Sequence, residues 1–140
     1  VLGFVAMPFR GPYVASKFAI EGLVGTLRLE LSNTNIKFCV IQPGPIESKF
    51  RQNAFKAFKE NVDASNSQYT KQYQSMIQRL KSGKNVKFTL PAAAVLKSAI
   101  HALESKSPKN YYRVTFPTKL FALLGNILSS KWMDFILNRS

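Results

Sequence analysis

Between residues 13 and 32, apolar side chains return at three- and four-residue steps: Ala15, Phe18, Ala19, Leu23, Leu27 and Leu31. That period predicts a helix from Tyr13 to about Ser32. Gly11-Pro12 is expected to break the chain just before it, and Asn33-Thr34-Asn35 is a polar stop. Ile36-Lys37-Phe38-Cys39-Val40-Ile41 is short and rich in β-branched and aromatic residues, which predicts a buried strand. Pro43-Gly44-Pro45 ends it sharply. Residues 47 to 88 are polar and basic, yet Phe50, Phe55, Phe58, Tyr69, Tyr73, Met76, Ile77 and Leu80 keep mostly helical spacing. Two helices are expected there, joined by a turn from Asp63 to Ser67, with Ser82-Gly83 closing the second. Another helix is expected from about Pro91 to Glu104, since proline suits a first turn. Ala93, Leu96, Ile100 and Leu103 form its apolar face. Ser107-Pro108 marks a turn, and Tyr111 to Thr115 a second strand. Thr118 to Leu137 reads as one or two apolar helices with a break near Ser129-Ser130.

Strands separated by helices predict an α/β fold with parallel pairing and right-handed crossovers. Two strands are too few for a doubly wound sheet, so the pattern implies an incomplete domain or one that needs a partner. There is no internal repeat and no low-complexity tract. The chain has 140 residues, 46% of them apolar, with eleven Phe, and this excludes wholesale disorder. A single cysteine excludes an intramolecular disulfide and a Cys-rich zinc site. The longest apolar runs, Phe4 to Phe9 and Leu120 to Leu124, fall far short of the ~20 residues a membrane-spanning helix needs. The opening from Val1 to Phe9 lacks the basic region and cleavage site of a signal peptide, so a cytoplasmic location is expected. Its abrupt apolar start suggests a chain that begins inside a domain.

The formal net charge is +13. It fits either a solvated basic surface or an anionic partner such as nucleic acid, anionic lipid or a phosphorylated cofactor. The basic residues are spread through the chain without a run of five or six, so no nucleic-acid partner is expected.

Tyr13 and Lys17 stand four apart at the start of a helix, which places them on one face. Tyrosine is a poor acid or base at neutral pH, and a nearby ammonium favours the phenolate. The pair is either a proton-transfer device for carbonyl and alcohol chemistry or a surface tyrosine beside a solvated lysine. His101 has no Asp or Cys at metal-ligand spacing and reads as structural or solvent-facing; no metal is expected. Cys39, mid-strand, reads as buried and inert. The scattered carboxylates do not support a paired-carboxylate hydrolase.

The run Gly11-Pro12-Tyr13-Val14-Ala15-Ser16-Lys17-Phe18-Ala19-Ile20-Glu21-Gly22 strongly resembles the active-site helix of the short-chain dehydrogenase/reductase family. Leu27 to Leu31, the strand Ile36 to Ile41 and Pro43-Gly44-Pro45-Ile46-Glu47-Ser48 follow in that family's order and spacing. The likeness rests on specific motifs over residues 1 to about 48, and on element order alone over 91 to 115. It implies the C-terminal part of a Rossmann-type doubly wound parallel sheet, with the N-terminal half missing. On that reading residues 1 to 140 are one portion of a single NAD(P)-binding domain of roughly 250 residues, with a substrate-covering segment at about 47–90. The resemblance implies an NAD(P)-dependent oxidoreductase in which Tyr13 is the general acid or base. Lys17 would assist it and hydrogen-bond the nicotinamide ribose. Pro43 and Gly44 would form the turn beside the nicotinamide, Ile46 would offer backbone contacts to the carboxamide, and Ser48 would stand where the family usually has Thr.

Two departures matter. The family's catalytic Ser would stand immediately before Val1, and no glycine-rich dinucleotide turn occurs in these residues. The chain is therefore expected to be a fragment, inactive alone. The cofactor the resemblance implies is NAD(P), with the basic balance leaning to NADP. The aromatics of the 47–90 segment, Phe50 foremost, either line an apolar pocket or seat the covering helices, and Phe4 and Phe9 are pocket candidates. The expected substrate is a small apolar carbonyl or alcohol, steroid-like, retinoid-like or fatty-acyl. A homo-oligomer is expected of the complete protein, and the apolar tail with Trp132, Met133 and Phe135 leaves peripheral membrane contact open. The sugar-nucleotide epimerase branch shares the Tyr and Lys but not the Ala-Ser-Lys context. The non-enzymatic alternative is a basic module for anionic lipid or nucleic acid.

Overall fold

In the computed structural model, residues 1–82 and 86–138 are described. They form α1 (Gly11–Glu30), β1 (Val40–Gln42), α2 (Phe50–Asn61), α3 (Thr70–Lys81), α4 (Ala93–Glu104), β2 (Tyr111–Arg113), α5 (Phe116–Ile127) and α6 (Ser130–Leu137). The strands pair in parallel, with Val40 opposite Tyr111, Ile41 opposite Tyr112 and Gln42 opposite Arg113. The α/β class and the parallel pairing agree with the sequence pattern.

The elements stand in the predicted order, but several boundaries move. Gly11 and Pro12 do not break the chain; they are the first turn of α1, where proline's fixed φ and missing N–H cost nothing. The strand expected over Ile36–Ile41 is shortened to Val40–Gln42, and that over Tyr111–Thr115 to Tyr111–Arg113. A strand is only as long as its partner, and here each three-residue strand has the other as its neighbour in the sheet. Cys39 thus precedes β1 and is part-exposed rather than buried. α4 starts two residues after Pro91. The tail breaks at Leu128 and Ser129, and Ser129 stands at the N-cap position of α6 without a side-chain capping bond. Ser82 caps α3, while Gly83, the other half of that expected stop, lies outside the described residues.

The buried apolar core is small: Val5, Tyr112, Ala122 and Leu137. Arg28 of α1 donates from Nη2 to the Tyr111 hydroxyl at 3.0 Å, with its guanidinium 4.9 Å from the ring centre. Gln42 donates to Glu21 at 2.8 Å and accepts from Arg113 at 3.3 Å. These contacts tie α1 to both strands. The face predicted to seat α4 points outward instead: Leu96, Ile100 and Leu103 are exposed, Leu103 at 85%. Leu29 of α1, 79% exposed, and Phe116, Leu123 and Ile127 of α5 are similarly uncovered. A two-stranded sheet has too little surface to cover the helices around it, so apolar faces remain in water. Among the described residues no helix is long and apolar enough to cross a membrane.

Candidate active site

α1 begins without a side-chain cap, and Tyr13 and Lys17 lie in its first two turns. The helical spacing stacks them on one side: the Lys17 ammonium stands 5.3 Å from the centre of the Tyr13 ring. Tyr13 is 38% exposed, so part of its side chain is open to solvent. Its ring is tilted against that of Phe50, 5.6 Å away, at the start of α2. Phe50, expected on the substrate side, is thus brought against the tyrosine.

Phe9 has a φ of 58°, a left-handed conformation that a bulky residue adopts only when neighbours hold it there. Its ring meets Tyr69 at 5.4 Å and Tyr73 at 5.7 Å, both nearly edge-on, and Tyr73 also packs on Phe58 of α2. Phe9 therefore fastens α3, and through it α2, to the segment before α1, and these aromatics seat one another. Phe4 is half-buried in the turn at residues 2–4.

The second part of the site is the turn after β1. Gly44 has a φ of 81°. A Cβ there would run into the Thr115 and Thr118 hydroxyls, with Thr115 Cβ at 3.2 Å. The two hydroxyls, both fully buried, hydrogen-bond each other at 2.9 Å. Thr115 N–H donates to the Pro43 carbonyl at 3.2 Å, so the turn is fixed against the start of α5. Nothing in the spacing of the sequence pointed to Thr115 and Thr118; a glycine followed far downstream by two threonines carries no local signal. Further along, Ile46 bridges Leu90 in parallel. Leu90 N–H donates to the Pro45 carbonyl at 3.1 Å and its carbonyl accepts from Glu47 N–H at 3.0 Å. In a parallel bridge of this kind the N–H and C=O of Ile46 point to the opposite side, offering a donor and an acceptor together. Ser48 is exposed, and its hydroxyl accepts from Phe50 N–H at 3.3 Å.

His101 latches α4 to β2: its Nδ1 lies 2.8 Å from the buried Tyr112 hydroxyl, which also accepts from Lys109 N–H at 3.0 Å. Among the described residues no group of three metal-ligating side chains comes together.

The family model described as short chain dehydrogenase matches residues 1–59. The uncharacterized oxidoreductase YbbO of Escherichia coli is 35% identical over 137 residues, covering 98% of this chain and 45% of that protein. The probable short-chain type dehydrogenase/reductase VdlC of Helicobacter pylori is 32% identical, covering 96% of this chain and 47% of its own length. The NADPH-dependent 3-dehydrocapnine reductase of Ornithobacterium rhinotracheale is 27% identical over 96% of this chain and 46% of its own length. No solved structure matches significantly. The chain spans about half the length of the curated relatives it matches. With the family model on the residues that hold the Tyr–Lys helix and the Pro-Gly turn, and relatives along nearly all of the chain, it belongs to the short-chain dehydrogenase/reductase family.

Proposed function

We propose that the protein is an NAD(P)-dependent oxidoreductase interconverting an alcohol with a ketone or aldehyde, built on a Rossmann-type domain in which residues 47–90 cover the substrate. The observation that carries this reading is the Tyr13–Lys17 pair on one open face of α1, in a chain of this family. A nicotinamide cofactor, when bound, supplies or accepts the hydride. The residues present suit it: Lys17 for the ribose, and the outward N–H and C=O of Ile46 for the carboxamide, on a turn fixed through Pro43 and Gly44. Ser48 lies two residues on, on the exposed side of the same turn.

In reduction, the Tyr13 hydroxyl gives its proton to the carbonyl oxygen; in oxidation, the phenolate takes the proton from the alcohol. The Lys17 ammonium, 5.3 Å from the centre of the Tyr13 ring, keeps a positive charge beside the tyrosine in both directions. Phe50 stands against the reacting tyrosine and sheds water from one side of it, and Phe4 and Phe9 lie on the segment leading into α1. These rings favour an apolar carbonyl or alcohol over a small sugar. A basic binding module without catalysis finds no support among the relatives, three of which are named oxidoreductase, dehydrogenase/reductase and reductase. NADP is the favoured cofactor, supported by the chain's basic balance and by one relative named for its NADPH dependence.

The test is Tyr13→Phe in the protein as its source makes it, assayed with a panel of lipophilic ketones and aldehydes. Turnover should fall by about 10²–10⁴-fold with cofactor affinity nearly unchanged. Near-normal turnover would refute the role of Tyr13, and turnover of small sugars alone would refute the substrate class.

A further inference from the structure

Two grips hold the turn after β1, and a pair of rings joins them. On one side the Thr115 N–H donates to the Pro43 carbonyl at 3.2 Å, and the Thr115 and Thr118 hydroxyls close on Gly44. On the other side Leu90 holds the same turn. Its N–H donates to the Pro45 carbonyl at 3.1 Å, and its carbonyl accepts from the Glu47 N–H at 3.0 Å. Leu90 ends the segment expected to cover the substrate, and Thr115 leads into α5. Phe88 stands two residues before Leu90, and Phe116 one after Thr115. Their ring centres lie 5.3 Å apart at an interplanar angle of 42°, within the range where aromatic pairs attract beyond their buried area.

The backbone at Phe88 is strained to put the ring there. Thr89 N–H donates to the Val86 carbonyl at 3.0 Å, and the Thr89 hydroxyl donates to the same oxygen at 2.6 Å. This closes a turn with Phe88 in its third position at a φ of 66°, a place that turns ordinarily give to glycine or asparagine. A bulky residue keeps that conformation only where its surroundings over-determine it. Burial does not do so here, since Phe88 is 49% exposed. Its ring instead meets Phe116 and lies with its centre 5.6 Å from the Lys87 ammonium. The contact with Phe116 reaches across the chain to the opposite grip.

We propose that Phe88 and Phe116 are positioning residues for the cofactor: their ring contact ties the two grips together, so that the turn at residues 43–47 keeps one shape and presents the Ile46 N–H and C=O to the carboxamide. The inference rests on the oxidoreductase reading and adds to that site two residues that act through Leu90 and Thr115. Leu90 is also where the covering segment ends. A nicotinamide held at the turn therefore steadies that end in return, since a coupling between two sites is reciprocal.

The experiment measures NADH and NADPH affinity, steady-state kinetics, Tm and amide hydrogen exchange for the protein as its source makes it. The variants are Phe88→Gly, Phe116→Ala, Phe116→Tyr and the double variant of the first two. Glycine at residue 88 removes the ring and relieves the backbone together, so Phe88→Gly should keep a Tm within about 3 °C of the parent. Its cofactor affinity should nonetheless fall about five- to tenfold, the worth of one ring pair, and the Glu47 and Leu90 amides should exchange faster. The cofactor KM should rise in step, while kcat at saturating cofactor changes by less than about twofold. Phe116→Ala should show the same loss and Phe116→Tyr should match the parent. The double variant should bind cofactor about as well as the weaker single one, because either change breaks the same contact. Unchanged cofactor affinity in Phe88→Gly overturns the proposal, whatever its Tm, and so do losses that multiply in the double variant. If the parent binds neither NADH nor NADPH while exchange at Glu47 and Leu90 still responds to Phe88→Gly, the oxidoreductase reading falls and the ring tie between the two grips stands.

Discussion

Replacing Gly44 with alanine tests whether the Pro-Gly turn is fixed from the far end of the chain. The residue sits at a φ of 81°, where a Cβ costs about 1–2 kcal/mol. The new methyl would also overlap the Thr115 and Thr118 hydroxyls. Those side chains are wholly buried and bonded to each other, so turning either away leaves a hydroxyl without its partner, at about 1–3 kcal/mol. The sum is about 2–5 kcal/mol, which for a chain of this size corresponds to a Tm lowered by roughly 6–20 °C. Calorimetry or thermal circular dichroism measures the shift, and titration with NAD(P)H measures the loss of cofactor affinity as the turn is displaced. A double-mutant cycle with Thr118→Ala isolates the contact. Removing that hydroxyl makes room for the methyl, so the double variant should cost at least ~1 kcal/mol less than the sum of the single ones. A Tm within about 2 °C of the parent, or strict additivity in the cycle, would refute the packing of Gly44 on these threonines.

Two further outcomes follow from contacts away from the turn. Tyr112→Phe removes the hydroxyl shared by His101 and the Lys109 N–H; it should cost about 1–2 kcal/mol, read as a lower denaturation midpoint with an unchanged slope. Asp63, fully exposed, accepts from Ser65 and Asn66, and these bonds hold its carboxyl below the ordinary carboxylate range. A depressed folded pKa stabilises the turn above the ordinary aspartate value of 3.8 and loses that effect as pH falls through the folded value. The Ser65 amide resonance should therefore stay constant above pH ~5 and shift only in strongly acidic solution, whereas titration centred at the ordinary value would show the bonds absent.

The helices were legible because periodicity is local. Six apolar residues at helical steps located α1, and the polar Asp63–Ser67 stretch separated α2 from α3. What failed depended on neighbours. The run Ile36 to Cys39 has every strand propensity but lies beyond the three-residue partner that Tyr111–Arg113 provides. The stripe of Leu96, Ile100 and Leu103 is as regular as a core face, yet it faces water because Ala94, Val95 and Ala99 turn inward instead. At the site, Tyr13 and Lys17 are legible because one helix spaces them. The threonines behind Gly44 are brought to it only by the tertiary fold, and no local pattern carries them.

The pairing of Val40 with Tyr111 also bears on how the molecule assembles. Those two residues close a loop that contains all of α2, α3 and α4, and closing a long loop is slow because its entropy must be overcome before any contact is gained. The helical hairpin of α2 and α3 needs only near neighbours, so its own closure costs far less entropy than that of the sheet. The ring contacts of Phe9 with Tyr69 and Tyr73 and of Tyr13 with Phe50 join that hairpin to α1, whereas the Gly44 turn is held by the strand pair and the two threonines.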